Sequence, residues 1–138
     1  MRGLVLILLA SCSSSSGQSS DGPVFSQFCG VGVACPNNEV CARSNECAAA
    51  SDIRTVHVNW TVGGVAASAT TCVAAPDLTI YFSGGDHTLG FEPVPCVEGR
   101  FSIDALPIWY DYVQLGQGGR LAEGALDDAG EVDLDLHL

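Results

Sequence analysis

The sequence predicts an all-β protein whose main unit, over residues 53–138, is a small antiparallel β-sandwich. Apolar and polar residues alternate in several short runs of this region, which is the pattern of half-buried strands. Glycine, proline and aspartate interrupt the runs at short intervals, as turns do. No run shows the apolar stripe of an amphipathic helix. About seven short strands separated by such turns are typical of a sandwich.

The first strand is predicted at the start of this region, because Val56, Val58 and Trp60 fall on one face of an alternating run. Gly63-Gly64 predicts the turn that follows. Residues 65–72 are rich in small side chains and fit either a strand or one helical turn.

The clearest strand is predicted at 78–82, where β-branched and aromatic residues are concentrated. The glycine-rich segment 83–86 ends it, and 87–91 supplies the next strand. Two prolines within 92–96 predict an edge or a bulge, because proline cannot donate to a central ladder.

Phe101 and Ile103 predict the inward face of a further strand, and Leu106-Pro107 a turn of the chain. Residues 108–115 predict a long aromatic strand. A tight glycine loop then joins it to a short strand at 120–123.

The last strand shows nearly perfect alternation, which predicts an antiparallel strand with one face in water. Its apolar face holds Val132, Leu134, Leu136 and Leu138, and its polar face holds Asp133, Asp135 and His137.

The run from Gly99 to the end resembles the second half of transthyretin-like, carboxypeptidase-regulatory-type sandwich domains. The resemblance implies the sandwich fold and no active site, because in such proteins this module accompanies enzymes or receptors. Trp109 stands where the corner glycine of those domains is expected. The matching positions are Gly99, Phe101, Ile103, Leu106, Pro107, Tyr110, Val113, Leu115, Val132, Leu134 and Leu136.

Residues 29–47 form a short cysteine-rich knob with too few apolar side chains for a core of its own. Small units of this kind need covalent bridges. Cys29, Cys35, Cys41 and Cys47 can pair in three ways. The interleaved pairs Cys29–Cys41 and Cys35–Cys47 are favoured because they constrain the most chain, and zinc is disfavoured by the ligand spacing. A Cys72–Cys96 bridge is predicted within the sandwich.

Residues 1–11 have the order of a secretory signal, with one arginine before an apolar run. A membrane-spanning helix needs about 20 apolar residues, and this run is far shorter. The string Leu9-Ala10-Ser11-Cys12 resembles the lipobox of bacterial lipoproteins at all four positions. The resemblance implies that Cys12 becomes the N-terminus and carries a diacylglyceryl thioether and an N-acyl chain. An ordinary secretory signal is the alternative.

Residues 12–28 begin with a serine-rich stretch that predicts a flexible tether. The chain has seven cysteines, an odd number. Lipid on Cys12 leaves an even set for three disulfides in an oxidising compartment. The lipobox and the cysteine count therefore support each other.

The formal net charge is −11 and the chain has no lysine. Such a surface repels nucleic acid and anionic lipid head groups. We therefore expect no nucleic-acid partner and a membrane attachment made only by the lipid.

No catalytic site is predicted: the histidines His57, His87 and His137 are scattered, and no hydrolase, zincin or phosphate-binding motif is present. Asp86-His87 is interpreted as a solvated hairpin tip. The glycosylation pattern at 59–61 is interpreted as accidental in a bacterial protein.

Acidic residues near the C-terminus are interpreted as a solvated turn and strand face rather than a calcium site, because their spacing matches no calcium loop. They are Glu123, Asp127, Asp128, Glu131, Asp133 and Asp135.

Trp109, Tyr110 and Tyr112 are the candidate ligand-binding residues, because an alternating strand cannot bury all three rings. We expect no cofactor beyond the covalent lipid. The sequence thus predicts a lipid-anchored, non-enzymatic binding, adhesion or scaffolding protein of the bacterial cell envelope, most simply of the outer membrane. The alternative is an accessory lipoprotein that binds carbohydrate or calcium for an envelope enzyme or transporter.

Overall fold

The structure is a computed structural model that describes residues 28–138. The predicted signal peptide, Cys12 and the tether up to residue 27 lie outside the described residues. Within 28–138 no helix is long and apolar enough to cross a bilayer. The strands are β1 Val40–Cys41, β2 Cys47–Ala48, β3 Ile53–Val62, β4 Val65–Ala66, β5 Asp77–Gly84, β6 His87–Pro95, β7 Arg100–Pro107, β8 Tyr112–Gln117, β9 Arg120–Ala125 and β10 Glu131–Leu136.

Two four-stranded sheets form the sandwich, as the sequence predicts. In the first, here called the β3 sheet, β3 is central, with β10 on one side and both β7 and β4 on the other. The second, the β5 sheet, has the order β6-β5-β8-β9. The knob adds only the small β1-β2 hairpin.

One hydrophobic core fills the space between the sheets. Val56 and Val58 of β3 are fully buried, which confirms the inward face predicted from alternation. Ile80 and Phe82 of β5 are fully buried as well. Phe82 also contacts the half-buried rings of β6 and β7, and the phenylalanine centroids lie 5.5 to 6.2 Å apart.

The last strand faces inward as predicted, but its antiparallel pairing is wrong. β10 lies parallel to β3, with Glu131 opposite His57 and Leu136 opposite Val62. Alternation determines which face is buried and says nothing about the direction of the neighbour. The turn before β10 crosses from the β5 sheet to the β3 sheet, and Gly130 passes so close to β3 that a Cβ would lie 2.6 Å from the Thr55 carbonyl oxygen.

The prediction of one long strand at 108–115 is also wrong, because only its second half lies in a strand. β7 continues through Pro107, and the chain then turns at 108–109, two residues later than the predicted corner at Leu106-Pro107. The Tyr110 N–H donates to the Pro107 carbonyl at 3.1 Å, and β8 begins only at Tyr112. Residues 108–111 are therefore a crossing between the two sheets.

The structure decides between the alternatives left open for residues 65–72 and for the proline-rich segment 92–96. Of residues 65–72, only Val65–Ala66 form a strand, and the Cys72 N–H donates to the Ser68 carbonyl at 2.9 Å, as in one helical turn. The proline-rich end of β6 is both an edge and irregular, since its register against β5 shifts between Leu78 and Ile80.

The disulfides follow the predicted pairing. Cys29–Cys41 and Cys35–Cys47 interleave in the knob, and Cys72–Cys96 lies buried in the sandwich core.

The knob packs against the end of β7. The Arg43 N–H donates to the Ala105 carbonyl at 3.0 Å, and the Arg43 side chain pairs with Asp104. This ion pair is exposed and adds little stability. Ala42, Cys47 and Ala48 of the knob are also buried.

We expect the double substitution Cys72→Ala and Cys96→Ala to lower the free energy of unfolding by about 3–4 kcal/mol, because the bridge closes a loop within the core. Urea denaturation of the oxidised proteins measures this. Removal of Cys29–Cys41 serves as the control, and the unfolding transition of the sandwich should move less. Equal stability of the wild type and the Cys72/Cys96 variant would contradict the central role of this bridge.

Candidate functional site

The three aromatic residues predicted to bind ligand do not form one surface. Tyr110 is only 3% exposed, whereas Trp109 is 38% exposed at the turn after β7. Tyr112 lies on the outer face of the β5 sheet, opposite Ala125 of β9. The expectation that one ring reaches solvent is correct, but these rings lie on a turn, in the interior and on a sheet face.

Tyr110 and its neighbours have a structural role. Arg54 of β3 donates to the Tyr110 carbonyl at 3.1 Å and to the Asp127 carbonyl at 2.8 Å, so one guanidinium links two of the chain segments that cross between the sheets. Burial, with a smaller effect of the Glu46 carboxylate in the knob, raises the pKa of Tyr110. The crossing also passes directly over β5, where a Cβ on Gly84 would overlap the Trp109 carbonyl.

We predict that Gly84→Ala destabilises the protein by about 3 kcal/mol or more, because backbone would have to move to admit the methyl group. Chemical denaturation followed by tryptophan fluorescence measures the change. Gly30→Ala is the matched control, because no atom lies within 4 Å of its added Cβ. If both substitutions cost the same, the close packing of residues 108–111 on β5 is refuted.

The outer face of the β5 sheet brings together a different aromatic pair. Tyr81 of β5 is 42% exposed, and Tyr112 of the neighbouring β8 is half-buried on the same face. Tyr81 pairs in register with Gln114, and Tyr112 with Ser83, so the two tyrosines are diagonal neighbours. Such diagonal positions lie about 7–8 Å apart, within reach of aromatic side chains. We call the following set the tyrosine face: Thr79, Tyr81, Glu92, Tyr112, Gln114 and Glu123.

One edge of the Tyr81 ring lies against Gly90 in the edge strand β6. A Cβ on Gly90 would lie 2.7 Å from Tyr81 Cε1 and 2.8 Å from Cδ1. The ring edge therefore occupies the space that a side chain at Gly90 would fill.

Two cross-strand hydrogen bonds flank the rings. The Thr79 hydroxyl donates to Glu92 at 3.2 Å, and the Gln114 amide donates to Glu123 at 3.0 Å. Partial desolvation, followed by the Glu123 carboxylate, raises the pKa of Tyr112. The carboxylates are thus oriented by neutral partners and keep acceptor capacity for a ligand.

A shallow hollow of about 320 Å³ continues the tyrosine face at the β5–β6 end. Its lining includes Thr79, Glu92 and the ring of Pro93, together with Asp77 and Gln117. The arrangement combines flat aromatic surface, hydroxyl and amide groups, and carboxylates on one open face. Such a surface can bind a ligand, but it does not enclose one.

Sequence reasoning missed Tyr81, although the signal was present. In the run Ile80-Tyr81-Phe82 the flanking residues point inward, so strict alternation places the tyrosine outward. An outward-facing aromatic residue in a strand is the detectable sign of such a surface.

The outer face of the β3 sheet is polar and acidic. The His57 Nδ1 lies 2.8 Å from the Ser102 hydroxyl, and Glu131 stands opposite His57 on the other side. His57 and Ser102 lie on an open face, where water competes for both groups. We therefore interpret them as an ordinary cross-strand polar pair. The other histidines are elsewhere: His87 follows the Gly85-Asp86 hairpin tip, and His137 is near the C-terminus.

The acidic C-terminal residues do not converge within the described part of the chain. Asp127 bonds to the Glu131 N–H at 2.7 Å and closes its own turn. Among residues 28–138, the only grouping close enough for a metal is Cys29, Cys35 and Cys47, whose sulfurs are already in disulfides.

Asp135 fixes the turn between β3 and β4. Its carboxylate accepts from the Gly64 N–H at 2.7 Å and from the Thr61 hydroxyl at 2.8 Å. These bonds, with that from Gly64 the stronger, lower the pKa of Asp135 below its ordinary value of 3.8.

We expect Asp135→Asn to be less stable than the wild type above pH 3.8, because the charged form is the better acceptor. A lowered pKa in the folded state means that this advantage is lost as the pH falls from 3.8 through the folded value. Thermal midpoints measured across the acid range should therefore converge. A difference that stays constant down to the lowest pH would show that the charge has no part in it.

Comparison of the chain with models of protein families, with curated proteins and with solved structures found no significant match.

Proposed function

We propose that the protein is a lipid-anchored, non-enzymatic binding module of the bacterial cell envelope. The observation that carries the proposal is the distribution of its cysteines. All six cysteines of the described residues pair within the chain, and the seventh, Cys12, ends the lipobox-like string. Disulfides of this density are typical of exported proteins.

The anchor places the domain outside the cytoplasm, on the outer membrane in the simplest case. About sixteen residues separate Cys12 from the knob, and a flexible chain of that length spans roughly 20–25 Å on average. The net charge of −11 disfavours attachment through anionic lipids, so the acyl chains supply the membrane affinity.

A binding role fits the surfaces of the sandwich. The polar groups of the described faces are arranged as open cross-strand pairs, and the core between the sheets is filled with apolar side chains. The resemblance to transthyretin-like, carboxypeptidase-regulatory-type domains points the same way, because those modules accompany enzymes or receptors. We propose other envelope proteins or glycans as partners.

The accessory role in carbohydrate binding is a second candidate, and the tyrosine face favours it. Exposed aromatic rings flanked by hydrogen-bonding side chains suit a polyhydroxylated ligand. The turn at 126–130, which the calcium alternative would need, is closed by its own hydrogen bonds.

Replacement of Cys12 tests the anchor. We expect Cys12→Ser to abolish incorporation of an alkyne-labelled fatty acid and to move the protein from the membrane to the soluble fraction. Cys29→Ser with Cys41→Ser is the control, since it removes two cysteines without touching the anchor and should keep the label. Unchanged labelling and membrane fractionation of Cys12→Ser would refute the lipoprotein assignment.

A further inference from the structure

We infer that the tyrosine face binds a glycan, with a pyranose ring stacked on Tyr81 and its hydroxyl groups bonded to Glu92 and Glu123. The inference rests on the proposed role as a binding module but needs no lipid on Cys12, so the two can fail separately. It specifies a glycan as the ligand and the outer face of the β5 sheet as the binding surface.

The first support is the orientation of the Tyr81 ring. The contact with Gly90 fixes the Cδ1–Cε1 edge of the ring, while 42% of the residue is exposed. An aromatic face carries negative charge density and attracts the weakly positive C–H groups of an apolar ring face. One face of a pyranose presents several such groups together, which makes it the natural partner of a flat, exposed ring.

The second support is the hydrogen-bonding surround. A carboxylate has two oxygens and about four lone-pair sites, so Glu92 keeps acceptor capacity beyond the bond from Thr79. Glu123 keeps it beyond the bonds from Gln114 and the Tyr112 hydroxyl. Neighbouring hydroxyls of a sugar are donors that suit such a carboxylate. The charge of the face also selects its occupant: its charged members are both carboxylates, so neutral or amino sugars are favoured and acidic sugars are repelled.

The third support is the space available beside the ring. The hollow of about 320 Å³ shares Thr79 and Glu92 with the tyrosine face and lies open to solvent. On the other side, Tyr112 offers a second, half-buried ring next to Glu123. The face therefore offers room for an oligosaccharide rather than a single sugar unit.

Isothermal titration of the full chain carrying Cys12→Ser tests the inference without lipid. The probes are tetrasaccharides of glucose (both β- and α-linked), N-acetylglucosamine, glucosamine, mannose, xylose and galacturonic acid. We expect binding of at least one neutral or amino tetrasaccharide and none of the galacturonic acid tetramer. Binding of none of them, or binding of the acidic tetramer alone, would overturn the inference.

Two substitutions locate the site. Tyr81→Ala removes the ring, and Gly90→Ala keeps every polar group but displaces the ring edge that contacts Gly90. Each should weaken binding by about tenfold or more, the equivalent of about 1.4 kcal/mol of lost stacking. Tyr81→Phe should retain most of the affinity, and circular dichroism checks that every variant is folded.

Matched controls separate this site from general surface effects. Glu123→Gln should weaken binding, whereas Asp133→Asn on the other sheet, which also removes one negative charge beside an amide partner, should not. Gly30→Ala serves as the control for Gly90→Ala. Equal affinities of the wild type, Tyr81→Ala and Gly90→Ala would place the ligand elsewhere and refute the inference.

Discussion

The rest of the structure depends on the hydrophobic core that the two sheets share. β3 and β5 bury alternate side chains against each other, and the Cys72–Cys96 bridge lies in the same core. The Trp60 indole N–H donates to the Cys96 carbonyl at 2.9 Å, which ties β3 to the bridge. Because apolar side chains of the core occupy both inner faces, a ligand can reach only the outer faces and the turns of the sandwich.

That constraint explains where the candidate functions lie. On the outer face of the β3 sheet, polar side chains form cross-strand hydrogen bonds such as Asn59–Asp133. The Asp135 carboxylate accepts a hydrogen bond from the turn between β3 and β4. The tyrosine face instead keeps two aromatic rings partly in solvent. The knob contacts the end of β7 through Arg43. The knob contact and the tyrosine face therefore lie on different sheets of the sandwich.

Much of this could be predicted from the sequence, because period-two alternation reports burial directly: Val56, Val58 and Leu134 are buried as expected. Spacing and chain constraint also gave the disulfide pairing. Pairing direction was not accessible, since the alternation around Leu134 is the same beside a parallel or an antiparallel neighbour. The aromatic run after Pro107 predicts a strand although it forms a crossing, because a buried crossing needs apolar residues just as a strand does. The outward position of Tyr81 is hard to recognise because the residues on both sides of it are apolar and point inward.

We propose that the seven cysteines divide into one lipidated residue and three intramolecular bridges. Intact-mass spectrometry of the protein extracted from its native membrane measures both parts of this division. We expect a chain that begins at Cys12 and carries three acyl chains, and whose mass rises by six hydrogen atoms on reduction. An unmodified Cys12, or a free thiol among the other six before reduction, would contradict it.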